Sequence, residues 1–262
     1  GRDQWGEFLK EDLAADGVDV GYMTYQNEGV ITVLAVLDEN GDRTLIPWLP
    51  PGAKIPRFSY DDFPDDLVTR AGWVHTSGLA LKDDGPGARA VLEFMQRCRR
   101  AGVILSFDLN LRAETFGYSG GRREMIRQAV ELSDVVMGSG MEEIRPITGC
   151  DTLEEGARQL AGDARTAIVR DGKNPVILAD KEQLIHIPIY GEELPVVSTI
   201  GAGDSFSGGF IAGAAKGLSA VRAVQWGNVC AAYRITSTKY RSVPSLIQLR
   251  QMAESHYKLH SL

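Results

Sequence analysis

From about residue 70 the sequence alternates short apolar runs with segments long enough for helices, and that rhythm leaves few folds open. Trp73–Thr76 precedes a helical stretch over Ala88–Arg100, and Gly102 leads into the strand Val103–Asp108. Arg122–Leu132 reads as the next helix and Val135–Met137 as the next strand. A helix follows from Thr152, where Thr152 and Glu155 have capping-box spacing, and then a strand at Ala167–Arg170. Val176–Ala179 and Leu184–Ile189 read as a hairpin around Asp180-Lys181. Beyond Gly201 the chain is mostly helical, over Asp204–Lys216, Ala220–Ile235 and Ser245–Leu259. Strands separated by helices of this length predict an α/β fold in three layers, a mostly parallel central sheet covered on both faces.

The first fifty residues keep a different period. Ile31–Leu37 and Arg43–Leu49 flank Asp38-Glu39-Asn40-Gly41-Asp42, and Asn-Gly between two β-branched runs predicts a hairpin. With Val20–Tyr25 the pair reads as a small β-sheet lid, about residues 20–50, on a single domain spanning 1–262. The prolines and glycine around Pro47–Pro56 mark the return from that lid.

Composition narrows the partners. Apolar residues make up 44% and charged residues 24%, which is a globular and not a disordered balance. No apolar run approaches the roughly 20 residues of a membrane-crossing helix, and no leader-like pattern opens the chain. Lys and Arg number 28 against 35 Asp and Glu, so the net charge of −7 disfavours nucleic acid and acidic membranes as partners. Cys98, Cys150 and Cys230 are odd in number and far apart, unlike a disulfide framework or a zinc site, so a cytoplasmic location is expected. His256 and His260 stand four apart but without the Glu between them that a His-Glu-x-x-His zinc site needs, and no Gly-x-x-x-x-Gly-Lys-Ser/Thr loop is present.

The segment that stands out is Ser198-Thr199-Ile200-Gly201-Ala202-Gly203-Asp204-Ser205-Phe206-Ser207-Gly208-Gly209-Phe210. Glycines around Ala202, just before a helix, permit unusual backbone angles and leave N–H groups free to hold a phosphoryl group. Asp204 in the first turn would then stand one step from the anion, where a carboxylate can take the proton of an attacking hydroxyl. A plain N-cap is the competing reading of those letters. Gly208-Gly209 inside the helix favours a special site, because two interior glycines cost stability unless something packs close.

Gly201-Ala202-Gly203-Asp204 with Phe206 and Gly209-Phe210 resembles the C-terminal signature of the ribokinase-like (PfkB) carbohydrate kinases. The resemblance implies the ribokinase-like three-layer fold, with Asp204 as catalytic base and the amides of Gly201, Ala202 and Gly203 as the anion hole. Asp108-Leu109-Asn110-Leu111-Arg112 resembles the family's Asp-x-Asn-x-Arg, which implies that Asp108, Asn110 and Arg112 face sugar and phosphates. Strand ends of open α/β sheets are also where ligands bind on general grounds, against the alternative of a solvated strand end. Asp134–Glu142 resembles the Asn-x-x-Glu segment, with Ser139 in the asparagine's place among the nucleotide contacts and Glu142 organising Mg2+. Val169-Arg170-Asp171-Gly172 resembles the strand end that lies along the nucleotide; Arg170 would pair with phosphate or simply neutralise Asp171. Asn228, on the penultimate helix, takes the position that contacts adenine or ribose.

Gly1-Arg2-Asp3-Gln4-Trp5-Gly6 and Gly17-Val18-Asp19 extend the likeness to the start of the chain. The family's usual N-terminal forty to fifty residues, with a Gly-Gly sugar loop and an Asn-x-Ala helix, are not visible. Ser198 and Ile200 stand where K+-activated members carry cation ligands, so activity without K+ is expected. Pro47-Trp48-Leu49-Pro50 lacks the arginine of relatives that act on 2-keto-3-deoxygluconate, and Trp48 offers a flat face to a sugar or packs the lid on the core. The expected function is therefore ATP- and Mg2+-dependent phosphorylation of a small neutral sugar or nucleoside, by a homodimer formed through the lid. The alternative is a weakened homologue that binds sugar or nucleotide in a structural or regulatory role.

Overall fold

The computed structural model describes residues 1–37, 43–239 and 241–259. Contacts divide the chain into two compact units, residues 1–64 and 65–262. The first holds helix α1 (Gln4–Ala15) and a two-stranded antiparallel sheet, β1 (Thr32–Leu37) and β2 (Arg43–Trp48). Asp3 caps α1 by accepting the Gly6 N–H at 2.9 Å. The Asn40-Gly41 turn lies outside the described residues. Val20–Tyr25 does not join the sheet as expected from the sequence. Asp19 accepts the Gly21 N–H at 2.9 Å and Met23 N–H reaches the Val20 carbonyl, so local turns take the groups a strand would use.

The larger unit has six strands in sequence order: β3 (Trp73–Ser77), β4 (Ile104–Asp108), β5 (Val135–Ser139), β6 (Thr166–Asp171), β7 (Asn174–Ala179) and β8 (Leu184–Ile187). The first four run parallel, β7 pairs antiparallel with β6, and β8 pairs antiparallel with β7. Strand β8 stops at Ile187, short of the expected Ile189, because Pro188 has no N–H to continue the ladder.

Helix α2 (Asp65–Arg70) precedes β3, and α3 (Pro86–Arg100), α4 (Ala113–Phe116), α5 (Gly120–Leu132), α6 (Gly140–Thr148) and α7 (Leu153–Ala161) connect the parallel strands. Thr152 caps α7 by accepting the Glu155 N–H at 3.2 Å, as its spacing predicts. The opposite face carries α8 (Ala202–Ala215), α9 (Ala220–Ile235) and α10 (Leu246–Leu259). Their Phe206, Phe210, Val224, Trp226 and Val229 close over Met137, Ile168, Val176 and Leu178, so the main core is a sheet-to-helix layer. The predicted α/β architecture and small separate sheet are therefore both present.

Strand alternation decides which residues reach this layer. The register pairs Ser77 with Asp108, Asp108 with Met137, and Met137 with Ile168, so these side chains share one face. Asp108 and, two residues beyond Ile168, Arg170 therefore point toward the start of α8.

Candidate active site

Gly201 opens α8 at φ 77°, a left-handed conformation that costs glycine nothing, and its carbonyl accepts the Ser205 N–H at 2.9 Å. Ala202, Gly203 and Asp204 form the first turn, whose N–H groups have no carbonyl four residues back to bond. The Ala202 N–H reaches the Thr199 carbonyl at 3.3 Å. The helix end is thus an anion site by geometry and by dipole. Asp204 is exposed, and no donor among the described residues bonds its carboxylate. The cap position belongs to Gly201, which has no side chain, so Asp204 stands in the first turn without being consumed as a cap.

Beneath this turn Arg170 ties four elements together. Its Nη2 donates to Asp108 Oδ2 at 2.8 Å, Nη1 to the Gly203 carbonyl at 3.1 Å, and Nε to the Gly138 carbonyl at 3.3 Å. The guanidinium lies 5.4 Å from the Phe206 ring centroid. The pair is nearly dry, with side chains 13% and 10% exposed, and Ser207 Oγ adds a bond to Asp108 Oδ2 at 3.3 Å. Asp108 and Arg170, expected at the sugar and the phosphates, thus bind each other. Both occupy the sheet face under α8, and neutralising one buried charge with the other avoids the cost of leaving either alone.

The chain then leaves β4 in an unusual path. Asn110 and Arg112 have φ of 30° and 45°, and Arg112 Nε donates to Asn110 Oδ1 at 2.9 Å. Asn110 is half-buried and Arg112 exposed, so these two members of the motif do reach an accessible surface together.

Two carboxylates start α6, and they differ. Glu142, the residue expected near Mg2+, is exposed. Glu143 turns inward: Oε2 accepts the Ser139 N–H at 2.9 Å and Oε1 the Leu111 N–H at 3.1 Å. Burial foremost, then the neighbouring Asp108 charge, push the Glu143 carboxyl above its ordinary value, against the pull of the two amides and Arg170. A Cβ on Gly138 would lie 2.8 Å from Leu109 Cδ1 and 2.9 Å from Ile144 Cδ1, so a larger residue there would have to push those side-chain ends aside. Ser139 contributes its backbone amide here.

Gly172 turns β6 into β7 at φ 57°. Asn228 is buried, its amide donating to the Pro188 carbonyl at 3.0 Å and the Tyr257 hydroxyl at 3.1 Å, so it staples α9 to α10 in place of facing a nucleotide. It falls on the buried side of α9, where an unpaired amide would be costly. Trp48 is exposed at the end of β2. Ser198 Oγ accepts the Ile200 N–H at 3.3 Å, and Ile200 is exposed.

Glu143 and Ser207 are site neighbours that motif reading passed over. Helical spacing does carry the first, since Gly140, Glu143 and Ile144 share one face of α6 and two of them are buried.

Polar residues at the parallel strand ends, an anion-binding helix start and an unengaged carboxylate beside it fit a phosphotransferase-type α/β protein. The profile of the pfkB family carbohydrate kinases matches residues 1–246, and the chain belongs to that family. It is 32% identical over 224 residues to a fructokinase of Klebsiella pneumoniae, covering 83% of this chain and 70% of that one. To aminoimidazole riboside kinase of Salmonella typhimurium it is 28% identical over 266 residues, 98% of this chain and 81% of the relative. The solved structure of aminoimidazole riboside kinase from Salmonella enterica, with aminoimidazole riboside and an ATP analogue, superposes with a TM-score of 0.76. It is 27% identical and covers 97% of this chain and 83% of that one. An E. coli protein provisionally assigned as ribokinase II, solved with ATP and Mg2+, gives 0.83 at 25% identity, covering 97% and 80%.

Proposed function

We propose that this chain transfers the terminal phosphoryl group of ATP to a hydroxyl of a small neutral sugar or nucleoside, with Asp204 as the base. The observation that carries the reading is the accessible Asp204 carboxylate in the first turn of α8, beside amides with no helical partner. Those amides suit the charge that develops on the transferred group, and Asp204 the proton of the attacking hydroxyl. Asn110 and Arg112 are assigned to the acceptor. Asp108 acts through Arg170, whose bond to the Gly203 carbonyl braces the anion turn. Ser139 and Gly172 are candidates for the nucleotide side, and Trp48 for the acceptor side.

Relatives named for fructose and aminoimidazole riboside supply the first acceptors to assay. No three metal-ligating side chains converge among the described residues. That fits Mg2+, which keeps water and phosphate oxygens as ligands and takes few from protein. Glu142 and Glu143 are the carboxylates available to orient such an ion, which would supply charge neutralisation at the phosphates. Dispersed free cysteines support a reducing, cytoplasmic setting, and the β1–β2 hairpin is assigned as a homodimer contact.

Asp204→Asn keeps the size and removes the base. Turnover should fall by about 10²–10⁴-fold, with nucleotide binding retained in calorimetry. Wild-type turnover in the variant would refute Asp204 as the base.

A further inference from the structure

We propose that Arg122 is a positioning residue for the acceptor side of the site: it holds the Leu111 peptide so that Asn110 and Arg112 keep their left-handed backbone and present their side chains as a pair. The proposal rests on reading those two residues as acceptor contacts. Among the described residues they are the non-glycine positions with positive φ. Asparagine tolerates that conformation, but arginine gains nothing from it and bears the full steric cost. Such strain persists only where the surroundings fix it.

What fixes it is the residue between them. The Leu111 side chain is buried, its N–H donates to Glu143 Oε1, and its carbonyl accepts from Arg122 Nη2 at 2.6 Å. Arg122 comes from the buried side of α5 and spends its other donors on backbone too. Nε donates to the Leu81 carbonyl at 2.9 Å and Nη1 to the Gly117 carbonyl. The guanidinium also lies 5.7 Å from the Phe116 ring centroid. One side chain thus spans both ends of the 111–117 segment and the 3-10 turn Gly78–Ala80. That turn packs so closely that a Cβ on Gly78 would lie 2.1 Å from the Leu109 carbonyl. Three carbonyls approaching from separate directions need the planar fork of arginine, which lysine does not offer. Without it the Leu111 carbonyl is released, the flanking φ angles relax, and the Asn110–Arg112 pair comes apart.

Arg122→Lys and Arg122→Gln test this in the full-length chain, assayed with fructose and with aminoimidazole riboside. The Michaelis constant for the acceptor should rise about ten- to hundred-fold, as expected of displaced binding groups. That for ATP should stay within about two-fold, since the α8 turn is not braced by Arg122. Hydrogen exchange over residues 109–117 should quicken while that over residues 205–210 is unchanged. An unchanged acceptor constant, or equal shifts for acceptor and ATP, would overturn the proposal. If the wild-type chain phosphorylates neither acceptor, the kinase reading loses support but exchange still decides on the clamp. Should the variants fail to fold, the wild-type chain decides alone: an Arg122 Nε–H that exchanges in NMR like a free guanidinium proton contradicts the clamp.

Discussion

Glu143 shows how a single buried carboxyl links stability to pH. Its raised pKa means that the folded chain holds this proton more tightly than the unfolded chain does. The cost of the buried charge is then present above the folded-state pKa. It is relieved as pH falls toward the ordinary value of 4.5. Compared with Glu143→Gln, which has no proton to gain, the wild-type chain should become relatively more stable as pH is lowered from neutrality toward 4.5. Paired thermal melts across that range measure it. A difference that stays flat or reverses would mean that the amides of Ser139 and Leu111 hold the carboxylate better than burial disfavours it. Activity should move the other way, because protonation loosens the grip on both amides.

At the scale of elements, α8 and α9 meet through small residues, and the two glycines of the signature divide in role. A Cβ on Gly209 would lie 2.8 Å from both Cys230 Sγ and the Trp226 carbonyl, whereas one on Gly208 would meet nothing within 4 Å. Gly209→Ala should therefore destabilise the fold by about 1–3 kcal/mol through overpacking. Gly208→Ala should stabilise it by about 0.5–1 kcal/mol through helix propensity. Melts shifting in the same direction would sink this account. The pair also marks how far the sequence can be read. Periodicity found the parallel strands and helices α3, α5, α7, α8, α9 and α10 but not α2, α4 or α6, and α9 falls on the residues its apolar period predicts, because burial on one face leaves a repeating trace. Chain-local patterns also placed the anion turn and Asp204. What the sequence did not disclose depends on partners distant in the chain. Nothing local says that Arg170 meets Asp108, that Asn228 faces Tyr257, or that Arg122 reaches three carbonyls. Val20–Tyr25 failed for the opposite reason: its β-branched and aromatic letters were outweighed by a turn that Asp19 closes.

At the scale of the whole molecule, the 65–262 unit buries its sheet on both faces, whereas the hairpin in residues 1–64 does not. The register sets Thr32 opposite Trp48, Leu34 opposite Ile46 and Val36 opposite Thr44, so Leu34, Val36, Ile46 and Trp48 share one face. All four are exposed, Leu34 and Trp48 each by 57%. Two strands alone are marginal in water, and this pair also offers unpaired edges. A second copy of the same hairpin, related by a two-fold axis, is self-complementary to such a face and turns two strands into a four-stranded contact. Light scattering of the full chain at micromolar concentration should therefore give twice the chain mass. Ile46→Lys places a charge in the centre of the face at a position already open to solvent, so the fold should survive while the mass halves. A wild-type chain that remains monomeric over the dilution series would rule out the hairpin contact. A dimer that Ile46→Lys leaves intact would move the interface to another surface.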